Sequence, residues 1–138
     1  MLNRKEVHNS ETLNIQIDSH DQKSYLIELS KDCTKFDLNV ECLENSFSKF
    51  FILNHAESAC ELNINMVLKQ DANCQMGVLD LEKSPLKWNH YVDLKEQGAE
   101  YEILSGQLCQ EHIEKVCDME VRHNAPHTNG QMKNCRFI

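Results

Sequence analysis

Thiols and imidazoles are concentrated near the end of the sequence, where their types and spacing point to metal binding. Five such residues lie within nineteen positions: Cys109, His112, Cys117, His123 and His127. Thiolate and imidazole are the ligands that hold Zn²⁺ and the irons of iron–sulfur clusters in proteins. One hypothesis is therefore a zinc or iron–sulfur site. Its candidate ligands are Cys109, Cys117, His123 and His127.

The spacing of these residues departs from the usual zinc patterns. No two cysteines stand as Cys-x-x-Cys, and the set fits no standard zinc finger. His123 and His127 are four residues apart, but Pro126 lies between them and prevents both from sharing one face of a helix. If the chain is extended here, Cys117 and His123 point the same way, because they are separated by an even number of residues.

A structural interpretation of the segment around Pro126 is the alternative to metal binding. Proline fixes its φ near about −65° and makes a rigid corner. Asn129-Gly130 can supply a positive φ, and polar neighbours can hydrogen-bond the backbone of the corner. These neighbours are Asn124, Thr128 and Asn129. In this interpretation, His123 and His127 are corner-bonding groups.

The cysteine content and the overall charge indicate the compartment and limit the partners. There are seven cysteines, an odd number, which is typical of a cytosolic chain that keeps its thiols reduced. Most of them are expected to be buried as small apolar residues. The net charge is −8 and the longest basic cluster is Arg4-Lys5, whereas nucleic acids and anionic membranes attract clustered Lys and Arg. We therefore expect a cytoplasmic protein that binds neither nucleic acid nor membrane.

Alternation of apolar and polar residues predicts β-strands along most of the chain. The predicted strands are 13–17, 25–29, 36–42, 49–53, 62–68, 74–81, 86–94, 101–108 and 116–121. Residues 110–115 could begin a helix but are too few to hold one alone, and residues 1–12 are expected to be helical or frayed. The length of 138 residues predicts one domain, 1–138.

The connections between the predicted strands favour a particular all-β architecture. Successive strands start about every 11 to 15 residues, and only Asn129-Gly130 has the form of a tight hairpin turn. The other breaks are short polar segments. A parallel β-helix joins its strands by such corners and stacks them rung on rung. A jelly roll or sandwich is the alternative.

Residues 92–134 carry an ordered set of motifs. An apolar strand runs into EQGAEYEILSG, a polar stretch follows at residues 110–115, and a further strand leads into His-x-x-Pro-His. The motif residues are His123, Pro126, His127, Gln131, Met132 and Lys133. In this order the segment resembles the core of the SufB/SufD family, the scaffold subunits of the Suf iron–sulfur cluster assembly machine. The resemblance implies a right-handed parallel β-helix, a single-stranded solenoid.

The resemblance also implies a function without catalysis. The family usually has Ser after its Pro-His motif, where this chain has Gly130. The family's sulfur-accepting cysteine and its cluster-building His and Glu lie in later rungs, and no cysteine of this chain aligns with that position. We therefore expect a scaffold or interaction protein of iron–sulfur cluster assembly that is not an enzyme. The alternative is a metal or iron–sulfur cluster binding protein that uses the Cys/His-rich C-terminal region.

The expected partner follows from the short solenoid. A β-helix that stops soon after Lys133 leaves its C-terminal end open, with unpaired backbone groups and the apolar face of the last rung. Such edges favour association unless they are covered. The sequence therefore predicts a homodimer, or a heteromer with a Suf scaffold subunit, formed through the open C-terminal rung.

Overall fold

The computed structural model of the chain describes residues 2–108, 110 and 112–137. Within these residues the chain is all β, and none of it forms a helix that is long and apolar enough to cross a membrane. The strands are β1 (Leu2–Val7), β2 (Ser10–Ile17), β3 (Gln22–Leu29), β4 (Lys35–Cys42), β5 (Phe47–Asn54), β6 (Cys60–Leu68), β7 (Asn73–Asp80), β8 (Leu86–Leu94), β9 (Glu100–Leu108), β10 (Lys115–His123) and β11 (Asn129–Phe137).

The strands form two parallel sheets in which each strand pairs with the strand two places along the chain. The odd-numbered strands make a six-stranded sheet in the order β1-β3-β5-β7-β9-β11. The even-numbered strands make a five-stranded sheet in the order β10-β8-β6-β4-β2. The chain therefore winds as a β-helix of about 5 turns. This confirms the predicted solenoid over the jelly roll and the sandwich, whose sheets are antiparallel.

All nine predicted strands are present, and two local expectations are corrected. Residues 2–7, expected to be helical or frayed, form β1 and pair in register with β3 from Leu2↔Ser24 to Val7↔Leu29. Their alternation is hidden because Asn3 and Lys5 occupy inward-facing positions on the end rung. Residues 110 and 112–114 form a turn rather than the start of a helix, and β10 begins at residue 115.

Alternate residues of every central strand point into the space between the two sheets and form the core. Its largest fully buried side chains include Trp88, Tyr101 and Phe36. Burying a large apolar side chain stabilises a fold by about 1.5–3 kcal/mol. Because the strands are in register, the inward positions of successive turns lie directly over one another and the core is continuous from turn to turn.

The corners that lead from the five-stranded sheet to the six-stranded sheet share one backbone feature. Each has a residue with positive φ two positions before the next strand begins, and successive members are 25, 26, 27 and 29 residues apart. These residues are His20, Asn45, Asp71, Gly98 and His127. The corners also bond to one another, since the Asn45 N–H donates to Gln70 O at 2.9 Å and the Asp71 N–H to Gln97 O at 3.0 Å. The positive φ lets the chain turn sharply while keeping this stack.

Gly98 is the corner residue for which a side chain is excluded on two grounds. Its φ is +80°, and a Cβ there would collide with the carboxylate of Asp71 in the turn beneath. Replacing Gly98 with Ala is expected to lower the free energy of unfolding by about 1–3 kcal/mol, measured by urea denaturation.

The matched control for Gly98→Ala is Asn45→Gly at an equivalent corner, where φ is 59°. Glycine adopts this conformation without strain, so the change in the free energy of unfolding is expected to stay within about 0.5 kcal/mol. Equal effects of the two substitutions would show that the corner at Gly98 tolerates a side chain.

Candidate functional site

The C-terminal corner holds both histidines of the His-x-x-Pro-His motif. His123 is the last residue of β10, and its Nδ1 lies 2.7 Å from Thr128 Oγ1, which donates to Ala125 O at 3.3 Å. His123 therefore bonds the corner, as the structural interpretation expects. The expectation of a positive φ at Asn129-Gly130 is wrong, because the residue of this corner with positive φ is His127, at 58°. Gly130 instead lies in β11, opposite Tyr101.

The candidate metal ligands do not converge where the structure describes them. Cys117 and His123 lie in one inward-facing row of β10, opposite Trp88 and Leu94, as their even spacing predicts. They are six residues apart in an extended strand, which separates them by about 20 Å. Zinc ligands lie about 2.0–2.3 Å from the ion, so these two cannot share one. Cys109 lies outside the described residues.

Across residues 2–108, 110 and 112–137, no three His, Cys, Asp or Glu side chains form a group that could hold a metal ion. His127 sits at the exposed corner beyond β10. Burial raises the pKa of the Cys117 thiol, with the carboxylate of Asp118 adding to the effect, so Cys117 is not activated as a thiolate.

The other residues of the motif lie on β11 or beside it. Gln131 and Lys133 point outward, opposite Glu102 and Leu104 of β9, and both are exposed. Pro126 is exposed in the corner. The motif therefore contributes to the surface of the last rung rather than to a closed pocket.

The inward-facing side chains become accessible to solvent at the last rung, which is formed by β10 and β11. Met132 of β11 lies in register with Ile103 of β9. Ile103 is fully buried, whereas Met132 is 54% exposed. Met119 and Val121 of β10 are likewise only partly buried. Apolar side chains that are core in the earlier turns thus form a surface at the last one.

A buried hydrogen-bonded chain crosses the core between the two sheets. The indole Nε1 of Trp88 donates to His90 Nδ1 at 3.1 Å, and His90 Nε2 lies 2.5 Å from the hydroxyl oxygen of Tyr101. An indole N–H can only donate, so Nδ1 is unprotonated and Nε2 donates to Tyr101. Burial lowers the pKa of His90 to about 3 and raises the pKa of Tyr101 well above its ordinary value.

The charge state of this chain is fixed by its surroundings. His90 and Tyr101 are both neutral at neutral pH, and each polar atom named above has a partner in the core. The alternation of apolar and polar residues in β8 predicts that Trp88 and His90 point into the core, because they occupy the same alternate positions as the buried residues Val92 and Leu94. Sequence reasoning does not find Tyr101 as the third member, because β8 and β9 belong to different sheets.

The buried cysteines behave as the composition predicts. They are free thiols within the core: Cys33, Cys42, Cys60 and Cys74. The sulfurs of Cys33 and Cys60 are 3.8 Å apart in adjacent turns. Burial raises the pKa of Cys33 and raises the pKa of Cys60 to about 12. Both therefore remain protonated thiols near neutral pH and pack as small apolar groups.

Asparagine ladders cover the outer face of the five-stranded sheet. In one row, the side-chain amide of Asn89 donates to Asn63 at 2.8 Å, and that of Asn63 donates to Asp37 at 2.7 Å. In the next row, Asn65 donates to Asn39 at 3.3 Å, and Asn39 to Asn14 at 2.9 Å. A shallow groove of about 520 Å³ lies over the first of these ladders and is also lined by Tyr91 and Glu120. This face is polar and its amides are bonded to one another.

A buried ion pair secures β10 to an earlier turn. Lys115 Nζ lies 2.7 Å from Asp80 Oδ2 and donates to Glu82 O at 2.9 Å, and the two charged side chains are 4% and 0% exposed. Asn54 donates its side-chain amide to Asp80 Oδ1 at 3.0 Å. The carboxylate of Asp80 is therefore compensated on both oxygens.

Fold and surface together define a two-sheet parallel β-helix with a polar, laddered face and an accessible last rung. Comparison of the chain with known protein families, with curated proteins and with solved structures found no match. The likeness to SufB/SufD scaffolds, carried by His123, Pro126, His127, Gln131 and Lys133, therefore remains a prediction.

Acid is expected to destabilise the fold through His90. Because folding lowers its pKa from 6.5 to about 3, the unfolded chain binds the proton more readily. The free energy of unfolding should therefore fall as the pH drops from 6.5 toward 3, with a slope of up to about 1.4 kcal/mol per pH unit. Urea denaturation between pH 7 and 4 should show a shallower slope for His90→Gln, whose amide can accept and donate. Identical slopes would contradict the assignment.

Breaking the buried ion pair on one side should be costly. Lys115→Met leaves the carboxylate of Asp80 without its counter-charge, and the free energy of unfolding is expected to fall by about 3–5 kcal/mol. The control is Lys35→Met. The Lys35 side chain is 48% exposed and its ammonium lies 3.9 Å from Asp37, so this substitution should cost less than about 1 kcal/mol. Adding Asp80→Asn to Lys115→Met should recover part of the loss, and urea denaturation measures all of these variants.

Proposed function

We propose that this chain is a β-helical scaffold of iron–sulfur cluster assembly, similar to the core of SufB and SufD, that acts by binding other proteins rather than by catalysis. The order of motifs over residues 92–134 supports the pathway. The solenoid agrees with the fold that this resemblance implies.

The observation that carries the interaction role is the accessible interior row of the last rung. Met132 is 54% exposed directly over the fully buried Ile103. Met119 and Val121 of β10 extend this row and are only partly buried. A strand added beside β10 or β11 continues the hydrogen-bonding ladder of its sheet, which is a recurring mode of protein recognition. It also covers the apolar side chains of the rung, which favours association by the hydrophobic effect.

The partner in this proposal supplies the next rung. A Suf scaffold subunit fits this role because it carries the same type of parallel ladder, and a second copy of the chain offers the same surface. Lys133 and Gln131 on the outer face of β11 frame this edge with polar groups. Polar groups at a rim exclude wrong partners more than they add affinity.

The test is binding of the purified chain to a SufB- or SufD-type scaffold subunit, followed by light scattering with size-exclusion chromatography. Met132→Lys places a charge where the partner's rung has to pack, and it should weaken the complex by at least about 10-fold. The control Gln131→Lys adds the same charge on the outward-facing side of β11 and should change binding by less than about threefold. A strict monomer that binds no such subunit would overturn the proposal.

A further inference from the structure

The outer face of the six-stranded sheet carries an apolar stripe that runs across the strands. The register places Leu26, Phe51, Gly77 and Leu104 side by side on β3, β5, β7 and β9. Phe51 is 44% exposed and Leu104 is 53% exposed. In the neighbouring outward row, Leu53 and Leu79 are also paired across β5 and β7. The stripe is therefore one continuous patch rather than scattered apolar residues.

Gly77 shapes the centre of this patch. A Cβ at Gly77 would lie 2.7 Å from Cδ2 and 2.9 Å from Cε2 of Phe51, so the ring of Phe51 lies over the bare backbone of β7. The groove beside it has a volume of about 590 Å³ and reaches Phe50 and Met76 in the layer below. A contiguous apolar surface of this kind marks an interaction site.

Opposite charges flank the stripe at equal distances from β7. Lys49 on β5, Gln75 on β7 and Glu102 on β9 form the adjacent outward row. The backbones of Lys49 and Glu102 are two strands apart, which is about 9.6 Å, and the ammonium of Lys49 lies 5.6 Å from the centroid of the Phe47 ring on its own strand. Both charged residues lie on the outward-facing side of the sheet, where a charge on another molecule can reach them.

We propose that two copies of the chain pack face to face through this sheet, about a two-fold axis that runs parallel to β7. Rotation about this axis keeps each position along the strands and exchanges β5 with β9. Phe51 of one copy then faces Leu104 of the second copy, and Lys49 faces Glu102. Each contact occurs twice, because a two-fold interface is isologous.

The charges select this axis over its neighbours. An axis midway between β5 and β7 places Arg4 of β1 opposite Lys133 of β11, which are like charges. An axis along the stripe, perpendicular to the strands, places Lys49 against Leu53 and removes its charge from water without a partner. The axis along β7 gives Lys49 a carboxylate. It sets Lys133 opposite Leu26 of β3, but β11 is the edge strand of its sheet, so the long side chain of Lys133 can reach water there.

The size of the overlapping face is close to what a stable dimer requires. About the axis along β7, the five strands from β3 to β11 overlap; spaced by about 4.8 Å, with about eight residues each, they cover roughly 630 Å². A standard interface buries about 800 Å² on each partner. The outer face of the five-stranded sheet offers no equivalent patch, since its central rows are filled by the asparagine ladders that begin at Asn14 and Asp37.

The test measures mass by light scattering and the dissociation constant by sedimentation equilibrium. The unmodified chain is expected at twice its monomer mass of 16.0 kDa. Phe51→Asp should yield the monomer. Lys49→Glu and Glu102→Lys should each weaken the dimer by about 100-fold, because each creates two like-charge contacts. The double variant Lys49→Glu/Glu102→Lys restores both pairs and should return to within about threefold of the original affinity.

Separate outcomes distinguish this interface from the last rung. A monomeric unmodified chain, or a dimer that survives Phe51→Asp, overturns the face-to-face proposal. A dimer lost in Met132→Lys but retained in Phe51→Asp also overturns it, while supporting association through the last rung. Single charge variants that lose the dimer without recovery in the double variant overturn the proposed axis. Urea denaturation of each variant confirms that it is folded, and Glu120→Lys on the other sheet should leave the dimer unchanged.

Discussion

The structure depends on keeping each turn of the chain in register with the turn before it. Every strand bonds to the strand two places along, so a shift of one residue would turn the core residues of that strand outward. The corners hold the register because each contains a residue with positive φ, from His20 to His127, at the same distance from the next strand. The bonds between stacked corners, such as Asp71 N–H to Gln97 O, align each turn with its neighbour.

In-register stacking also explains where polar groups enter the core. The interior rows of the central turns have no access to water, so a polar residue persists there only where its neighbours complete its hydrogen bonds. Trp88, His90 and Tyr101 meet this condition across the two sheets. Asp80 and Lys115 meet it at the ends of their strands, where the two sheets come close. The first set joins two consecutive strands across the core, whereas Asp80 and Lys115, which are 35 residues apart, tie separate turns together.

The sequence allowed the strands to be predicted because alternation survives wherever apolar residues fill the interior row. The strand β1 could not be predicted in this way, because the polar residues Asn3 and Lys5 occupy the inward-facing positions of this end rung. The corner repeat could not be predicted either, because His20, Asn45, Asp71 and Gly98 share a backbone conformation but no side-chain chemistry. For the candidate site, parity placed Cys117 and His123 on one side of β10. Their separation along the strand, which prevents joint metal binding, follows only once the strand is known to be unbroken.

The asparagine ladders give the outer face of the five-stranded sheet an electrical direction. Asp37 has no hydrogen to donate as a carboxylate, so Asn63 turns its amide nitrogen toward it and its oxygen toward Asn89. The carboxylates of Asp37 and Glu61, which both accept from the amide nitrogen of Asn63, thereby set the orientation of amides up to two turns away, and reversing one of them would bring like atoms together. The amide dipoles add head to tail along the axis of the solenoid. An elongated polar molecule lying along this face would therefore experience different potentials in its two orientations.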